Sequence, residues 1–376
     1  MKKEVSEVTF NLIPVDSKSN IKKISLSNIS KYAKLKVMLP LLCARISALS
    51  YNIALGFSVA GLVLFVLLSL YFAFCVVASN IMFRPKKMQF EDSVEDTILK
   101  RSFNREFLNT PFEEREINSD FGYNLYARLY INEVKTDKFI LVLHGHKSNC
   151  VDMLPYAEEF LRLGYNVLIP DHRYGARSGG SSVTMGHYEK YDAISWINAL
   201  FEEFPNCNLG VFGESMGGAT GIMVTAMDNR VKFLIEYCGY ANYELIMLPR
   251  LNHSRFLYRL LLPGLRIVAT GLFNISMKEM DALSAMKTIS VPVLMLHSKA
   301  DKTVTYNNAE KLLEANPNAK LITFEESTHA RSLSRYKNDF ITAVEDFIKS
   351  LPNGLSPDKE AEKKTKTKNQ KMEDIL

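Results

Sequence analysis

NLGVFGESMGGATGIMVTAMD, residues 208–228, reads as a short apolar strand, a tight turn and a helix rich in small residues. The turn is Gly213-Glu214-Ser215-Met216-Gly217. A serine held on a sharp strand-to-helix turn projects its hydroxyl, and flanking glycines remove the side chains that would clash there. The backbone N–H of Met216, at the start of the new helix, can then face a developing oxyanion. A GxSxG string alone also fits an ordinary helix start with a serine cap, so the weight rests on what surrounds it.

The surroundings repeat the pattern. EREINS and LYARLYI, joined by the turn-like SDFGYN, predict an opening hairpin. KFILVLHG, NVLIPDH, NLGVFGES, VKFLIEYCGY, VPVLMLHSKAD and AKLITFEES are apolar runs separated by segments of helical spacing such as VDMLPYAEEFLRLGY and HYEKYDAISWINALFEEF. Such alternation predicts a largely parallel sheet covered by helices on both faces. Residues 240–290 interrupt the rhythm with a mostly apolar helical insertion, read as a cap over the strand ends.

A serine hydroxyl is a weak nucleophile and needs a base, itself oriented by a carboxylate. The strand VPVLMLHSKAD delivers Asp301 just past its end, and AKLITFEESTHA delivers His329 in the loop after the next strand. Of the seven histidines, His329 alone lies downstream of such an acid. His297 lies inside a strand and reads as a core or supporting residue, and Glu325 and Glu326 stand too near the strand carrying His329 to be attractive acids. The expected triad is Ser215, Asp301 and His329. The loop His144-Gly145-His146-Lys147-Ser148-Asn149 is expected to give a second oxyanion donor, the His146 N–H. Asp171, His172, Arg173, Gly175 and the run Ser178-Gly179-Gly180 are read as the floor of the site.

No charged residue occurs from 46 to 83, and its densest part, 54–77, exceeds the ~20 residues that cross a bilayer. It is too long and starts too late for a signal peptide, although Val77-Ala78-Ser79 has the form of a cleavage site. An uncleaved single-pass anchor is the expectation. Residues 1–50 hold nine Lys or Arg against three acids, a surplus of six in a chain of net charge +5, so the remainder is near neutral at −1. That excludes the basic stripe of a nucleic-acid binder. Lys31, Lys34, Lys36 and Arg45 precede the span against Arg84, Lys86 and Lys87 after it, which favours a cytoplasmic N-terminus and an extracytoplasmic catalytic domain. The five cysteines show neither the density of a disulfide framework nor a zinc spacing. The expected order is a basic disordered head (1–45), the anchor (46–83), a linker (84–111), the catalytic domain (112–351) and a disordered charged tail (352–376).

HGHKSN, DHRYGARSGG, TMGHYEKYD, GESMGGAT, HSKADKTV and STHA occur in the order found in α/β-hydrolases. Over residues 112–351 the chain resembles their bacterial membrane-anchored branch, related to serine aminopeptidase- and monoglyceride lipase-like hydrolases. The resemblance implies an α/β-hydrolase fold and an esterase- or lipase-like serine hydrolase acting on a small acyl substrate, with no metal and no organic cofactor. It carries the triad onto Ser215, Asp301 and His329, and the oxyanion positions onto His146 and Met216. Tyr174-Gly175-Ala176-Arg177 departs from the pattern, since relatives carry a small residue, His and Gly before the Ser; this bears on loop shape and substrate preference. An amidase or peptidase, a thioesterase or acyltransferase, and a non-catalytic binding protein are the competing readings. The apolar cap residues Leu245, Ile246, Met247, Leu248, Phe256, Leu257, Leu260, Leu261 and Leu262 fit either an acyl-chain site or packing onto the sheet.

Overall fold

The computed structural model describes residues 26–87, 90–101 and 103–352. The first 25 residues of the expected head, and all but the first residue of the expected tail, lie outside the described residues. The chain divides into two compact units, Met1–Ser69 and Leu70–Leu376. Helix α1, Leu26–Phe83, begins in the first and ends in the second. In the first unit, the successive residues Leu62, Val63, Leu64 and Phe65 are 64, 52, 58 and 68 % exposed. Four successive helical residues sample the whole circumference, so the helix is apolar on all sides. Its segment Met38–Phe83 is long and apolar enough to cross a membrane. The helix starts well before residue 46, so residues 26–45 are helical rather than disordered.

The second unit is an eight-stranded sheet with helices around it. Its strands are β1 (Glu113–Asn118), β2 (Asn124–Tyr130), β3 (Lys138–Leu143), β4 (Asn166–Pro170), β5 (Asn208–Glu214), β6 (Val231–Tyr237), β7 (Val293–Ser298) and β8 (Lys320–Phe324), in the order β1-β2-β4-β3-β5-β6-β7-β8. The opening hairpin β1–β2 and the β2–β4 pair are antiparallel, and the remaining pairs are parallel. The helices are α2 (Phe90–Arg101), α3 (Leu154–Arg162), α4 (Glu189–Glu203), α5 (Met216–Met227), α6 (Tyr243–Arg250), α7 (Arg255–Phe273), α8 (Ala282–Met286), α9 (Asn307–Ala315), α10 (Ser332–Arg335) and α11 (Lys337–Ser350). Side chains alternate across each central strand, as the two-residue period requires. Leu141, Leu143, Leu209 and Val211 join one core with Trp196 of α4 and Ile222 of α5. Ile140, Val142, Phe212 and Ile235 join the other with Phe160 of α3 and Phe347 of α11. Both faces are thus buried, which is why these strands read as unbroken apolar runs.

Two expectations of organisation change. Residues 84–111 are not a bare linker: they hold α2, whose Thr97 donates to Asp152 Oδ1 at 2.8 Å and whose Ser93 accepts from Asn149 at 2.6 Å. The reason this was hidden is that α2 is polar, and its partners are distant polar groups rather than a periodic apolar face. The insertion between β6 and β7 is helical as anticipated, but its apolar residues divide. Ile246, Met247 and Leu248 of α6 are buried, whereas Phe256 and Leu260 of α7 are 75 and 52 % exposed. The last turns of α1 belong to this packing. Tyr71 Oη donates to Leu260 O at 2.9 Å and accepts from Gly264 N at 2.9 Å, and Phe83 meets Phe273 with ring centroids 5.2 Å apart.

Candidate active site

Parallel register aligns the carboxyl ends of the central strands, the edge at which open α/β sheets bind ligands. Leu143 pairs with Gly213, Glu214 with Tyr237, Tyr237 with Leu296, and Ser298 with Phe324. The loops that leave these ends carry the residues singled out in the sequence. Ser215 sits between β5 and α5 with φ 56° and ψ −114°, a strained conformation worth of order 1–3 kcal/mol that neighbours must hold in place. Its N–H donates to Tyr237 O at 2.8 Å. The glycines on either side leave no alternative: a Cβ on Gly213 would lie 2.1 Å from Gly217 O, and one on Gly217 would lie 2.0 Å from Leu143 O.

The structure brings Ser215, Asp301 and His329 together. His329 Nε2 lies 2.8 Å from Ser215 Oγ, and His329 Nδ1 lies 2.6 Å from Asp301 Oδ2. The other oxygen of Asp301 accepts the backbone N–H groups of Thr303 and Val304 at 2.8 and 3.0 Å. With a carboxylate at Nδ1 the imidazole carries its proton there, leaving Nε2 to accept from the serine hydroxyl. The Asp301 side chain is 1 % exposed and that of His329 is 20 % exposed, so the imidazole is reachable while the carboxylate is sealed. His297 is buried behind them, its Nε2 donating to Val304 O at 2.8 Å. Glu325 and Glu326 point away, paired with Lys299 and Arg335 on the surface.

Among the described residues, Cys238, Asp301 and His329 have ligand atoms within 4.8 Å of one another. The carboxylate and imidazole of that group are already bonded to each other, and burial pushes the Cys238 thiol up. The group therefore reads as the triad with a neutral thiol beside it.

On the other side of Ser215 stands the loop after β3. A Cβ on Gly145 would lie 3.4 Å from the Cβ of Ser215, so this loop passes against that serine. His144 accepts the His172 N–H at Nε2 (2.8 Å) and donates from Nδ1 to Gly145 O (2.8 Å), which fixes its tautomer and occupies both ring nitrogens. His146 donates from Nε2 to Met82 O, 2.7 Å away in the last turn of α1. Burial, with lesser pushes from the charges of Lys147 and Arg250, lowers its pKa to about 4. Its side chain is a neutral tether, which leaves its backbone N–H as the group of interest. Asp171 braces the floor, accepting from Cys150 N at 2.7 Å and Arg177 N at 3.0 Å. The departing loop is closed by Tyr174 N donating to Gly179 O at 2.5 Å, and Arg177 turns outward to Glu114.

Three residues around the site were missed. Glu214, buried beside Ser215, accepts two bonds from Arg101 of α2 (2.5 and 3.0 Å) and one from Tyr156 of α3 (2.6 Å). Burial alone would raise its carboxyl; the Arg101 charge and these bonds hold it below the ordinary carboxylate range. Part of the signal was present, because a glutamate at the end of an apolar strand must find a buried partner or give up its charge. Its identity was not, since Arg101 lies 113 residues away.

The family described as serine aminopeptidase, S33, matches residues 134–283, a span that includes Ser215 and stops short of Asp301 and His329. The uncharacterized protein YqkD of Bacillus subtilis is 29 % identical over 292 residues, covering 73 % of this chain and 94 % of that protein. The monoglyceride lipase of Rattus norvegicus is 22 % identical over 246 residues, covering 56 and 80 %. Among solved structures, the Pyrococcus furiosus esterase Pf2001 superposes with a TM-score of 0.55 at 22 % identity, covering 66 % of this chain and 96 % of that one. At that identity the likeness is one of fold.

Proposed function

We propose that this chain, which belongs to the α/β-hydrolase superfamily, is a membrane-anchored serine hydrolase that cleaves carboxylic esters. The observation that carries the reading is His329, bridging Ser215 Oγ at 2.8 Å and Asp301 Oδ2 at 2.6 Å. His329 takes the hydroxyl proton as Ser215 Oγ attacks the acyl carbonyl, and Asp301 stabilises the imidazolium that forms. The N–H groups of Met216 and His146 receive the oxyanion; the first is an orphan donor at the start of α5. His329 then passes its proton to the leaving alkoxide, the ester C–O bond breaks, and water releases the acyl group by the same steps in reverse. The names of the similar monoglyceride lipase and esterase favour an ester, and the matched serine aminopeptidase family keeps an amide substrate as the second reading. Turnover of matched ester and anilide substrates separates the two.

The anchor reading rests on the all-round apolar α1 and on its last turns, which are built into the cap through Tyr71 and Phe83. Cleavage after Ser79 would remove Tyr71 and leave the Gly264 N–H without its acceptor. The basic residues ahead of the span favour an extracytoplasmic catalytic domain.

A fluorophosphonate probe tests the catalytic reading on the detergent-solubilised full chain. Wild type is expected to be labelled, and Ser215→Ala and His329→Ala to lose turnover by roughly 10⁴–10⁶-fold. A folded wild type that takes no label would reduce the reading to the fold alone.

A further inference from the structure

Helix α7 carries an apolar face that the folded domain leaves uncovered. Phe256, Leu260 and Ile267 are each more than half exposed, and the helical repeat sets them within about 40° of one another. The opposite face, with Leu265, Val268 and Ala269, is buried in the core. The exposed stripe has two different flanks. On one side Arg255, Arg259 and Arg266 form an exposed row, and α7 holds no aspartate or glutamate to pair with them. On the other side lies Gly264, whose N–H meets Tyr71 Oη of α1 at 2.9 Å. A Cβ on Gly264 would come within 2.7 Å of Cys75 Sγ. Tyr71 also donates to Leu260 O, so one hydroxyl takes both groups that a single i→i−4 rung of α7 would join. Tyr71 and Cys75 belong to the densest apolar part of the chain, 54–77. At this contact the apolar surface of the anchor and the stripe of α7 adjoin. By length and composition α7 could itself cross a membrane. With one face packed into a core and three arginines on another, it is built to lie along a surface instead.

We infer that α7 is an interfacial helix that seats the cap on the bilayer holding α1. Phe256, Leu260 and Ile267 enter the boundary between headgroups and acyl chains, and Arg255, Arg259 and Arg266 meet anionic headgroup phosphates. The inference rests on the anchor reading and adds a second membrane contact, made by the catalytic domain itself. A helix with Phe and Leu on one face and a basic edge binds lipid in this way. Its arginines bring a preference for anionic lipid that weakens as salt rises.

The test places an environment-sensitive fluorophore on single cysteines of the full chain, reconstituted in vesicles of phosphatidylcholine and phosphatidylglycerol. Cys43→Ser supplies the background, since the other four native thiols are buried. Phe256→Cys, Leu260→Cys and Ile267→Cys report on the stripe, and Leu64→Cys reports on the anchor. Met227→Cys, exposed at the far end of α5, reports on the rest of the domain. Every labelled side chain is exposed, so labelling leaves the core intact. The three α7 labels should shift to the blue and lose fluorescence to lipids brominated along the acyl chain, as the Leu64 label does, while the Met227 label keeps its signal. Combined Arg255→Gln, Arg259→Gln and Arg266→Gln should lessen the quenching at Ile267 when phosphatidylglycerol is present and leave it unchanged in phosphatidylcholine alone. Unquenched α7 labels beside a quenched Leu64 label would overturn the inference and leave the anchor standing. A blue shift without quenching would overturn it too, by showing that a protein surface such as a second copy covers the stripe. Equal quenching at Met227 would deny α7 any special contact. An unquenched Leu64 label would instead remove the anchor reading, and the inference with it.

Discussion

Glu236 is an acid placed where no ionised acid is comfortable. It lies on β6, paired in register with Gly213 of the nucleophile turn, and is fully buried. One carboxyl oxygen accepts the Gly239 N–H, and the other has no partner among the described residues. Burial dominates and pushes its pKa up to about 8, so the group is neutral at neutral pH in the fold and ionised in the unfolded chain. Between about pH 4.5 and 8 the folded state therefore binds more protons than the unfolded one. The sign follows directly: this residue makes stability fall as pH rises across that window. Glu236→Gln keeps the acceptor for Gly239 and removes the titration. The melting temperature of wild type should decline from pH 5 to 8 more steeply than that of Glu236→Gln, and the variant should be the more stable at pH 8. Parallel curves would mean that Glu236 has found a partner for its charge.

Helix α2 shows how an element can be decisive without being conspicuous. It holds Glu214 through Arg101 and braces the loop before α3 through Ser93 and Thr97. Arg101→Ala would leave the Glu214 carboxylate buried and uncompensated beside Ser215, a loss of about 3–5 kcal/mol. Arg101→Met combined with Glu214→Gln removes both charges and should recover much of it, a coupling that a double-mutant cycle in denaturant measures. Additive losses would show that the pair does not act as a unit. The contrast with β5 and α5 explains what was legible. The strand, turn and helix around Ser215 are specified by apolar runs and glycines within one short stretch, so both the sheet edge and the strained turn that carries Ser215 could be read there. Asp301 and His329 followed because strand ends carry them in chain order. The role of α2, the tether from His146 to Met82 and the split of the cap into buried and exposed apolar residues depend on contacts between distant segments. No local period records those.

At the scale of the whole molecule, the basic residues flanking α1 have two different explanations. Lys31, Lys34, Lys36 and Arg45 precede its apolar stretch, whereas Arg84, Lys86 and Lys87 follow it. The trailing group is engaged in the fold: Arg84 donates to Ser181 O at 3.2 Å and lies 4.9 Å from the centre of the Phe273 ring, and Lys86 and Lys87 line a cleft beside Met216. Those residues make contacts in the folded domain whichever side it occupies, so they argue less for cytoplasmic retention than their number suggests. The leading group, ahead of the span, acts on orientation. The catalytic domain is therefore expected outside the cytoplasm, and Lys86→Gln with Lys87→Gln should leave that orientation unchanged. Protease added to intact spheroplasts expressing the full chain should remove the domain in both proteins, while a cytoplasmic control protein survives. Protection of the domain until the membrane is opened with detergent would reverse the assignment, and would make Arg84, Lys86 and Lys87 determinants of topology.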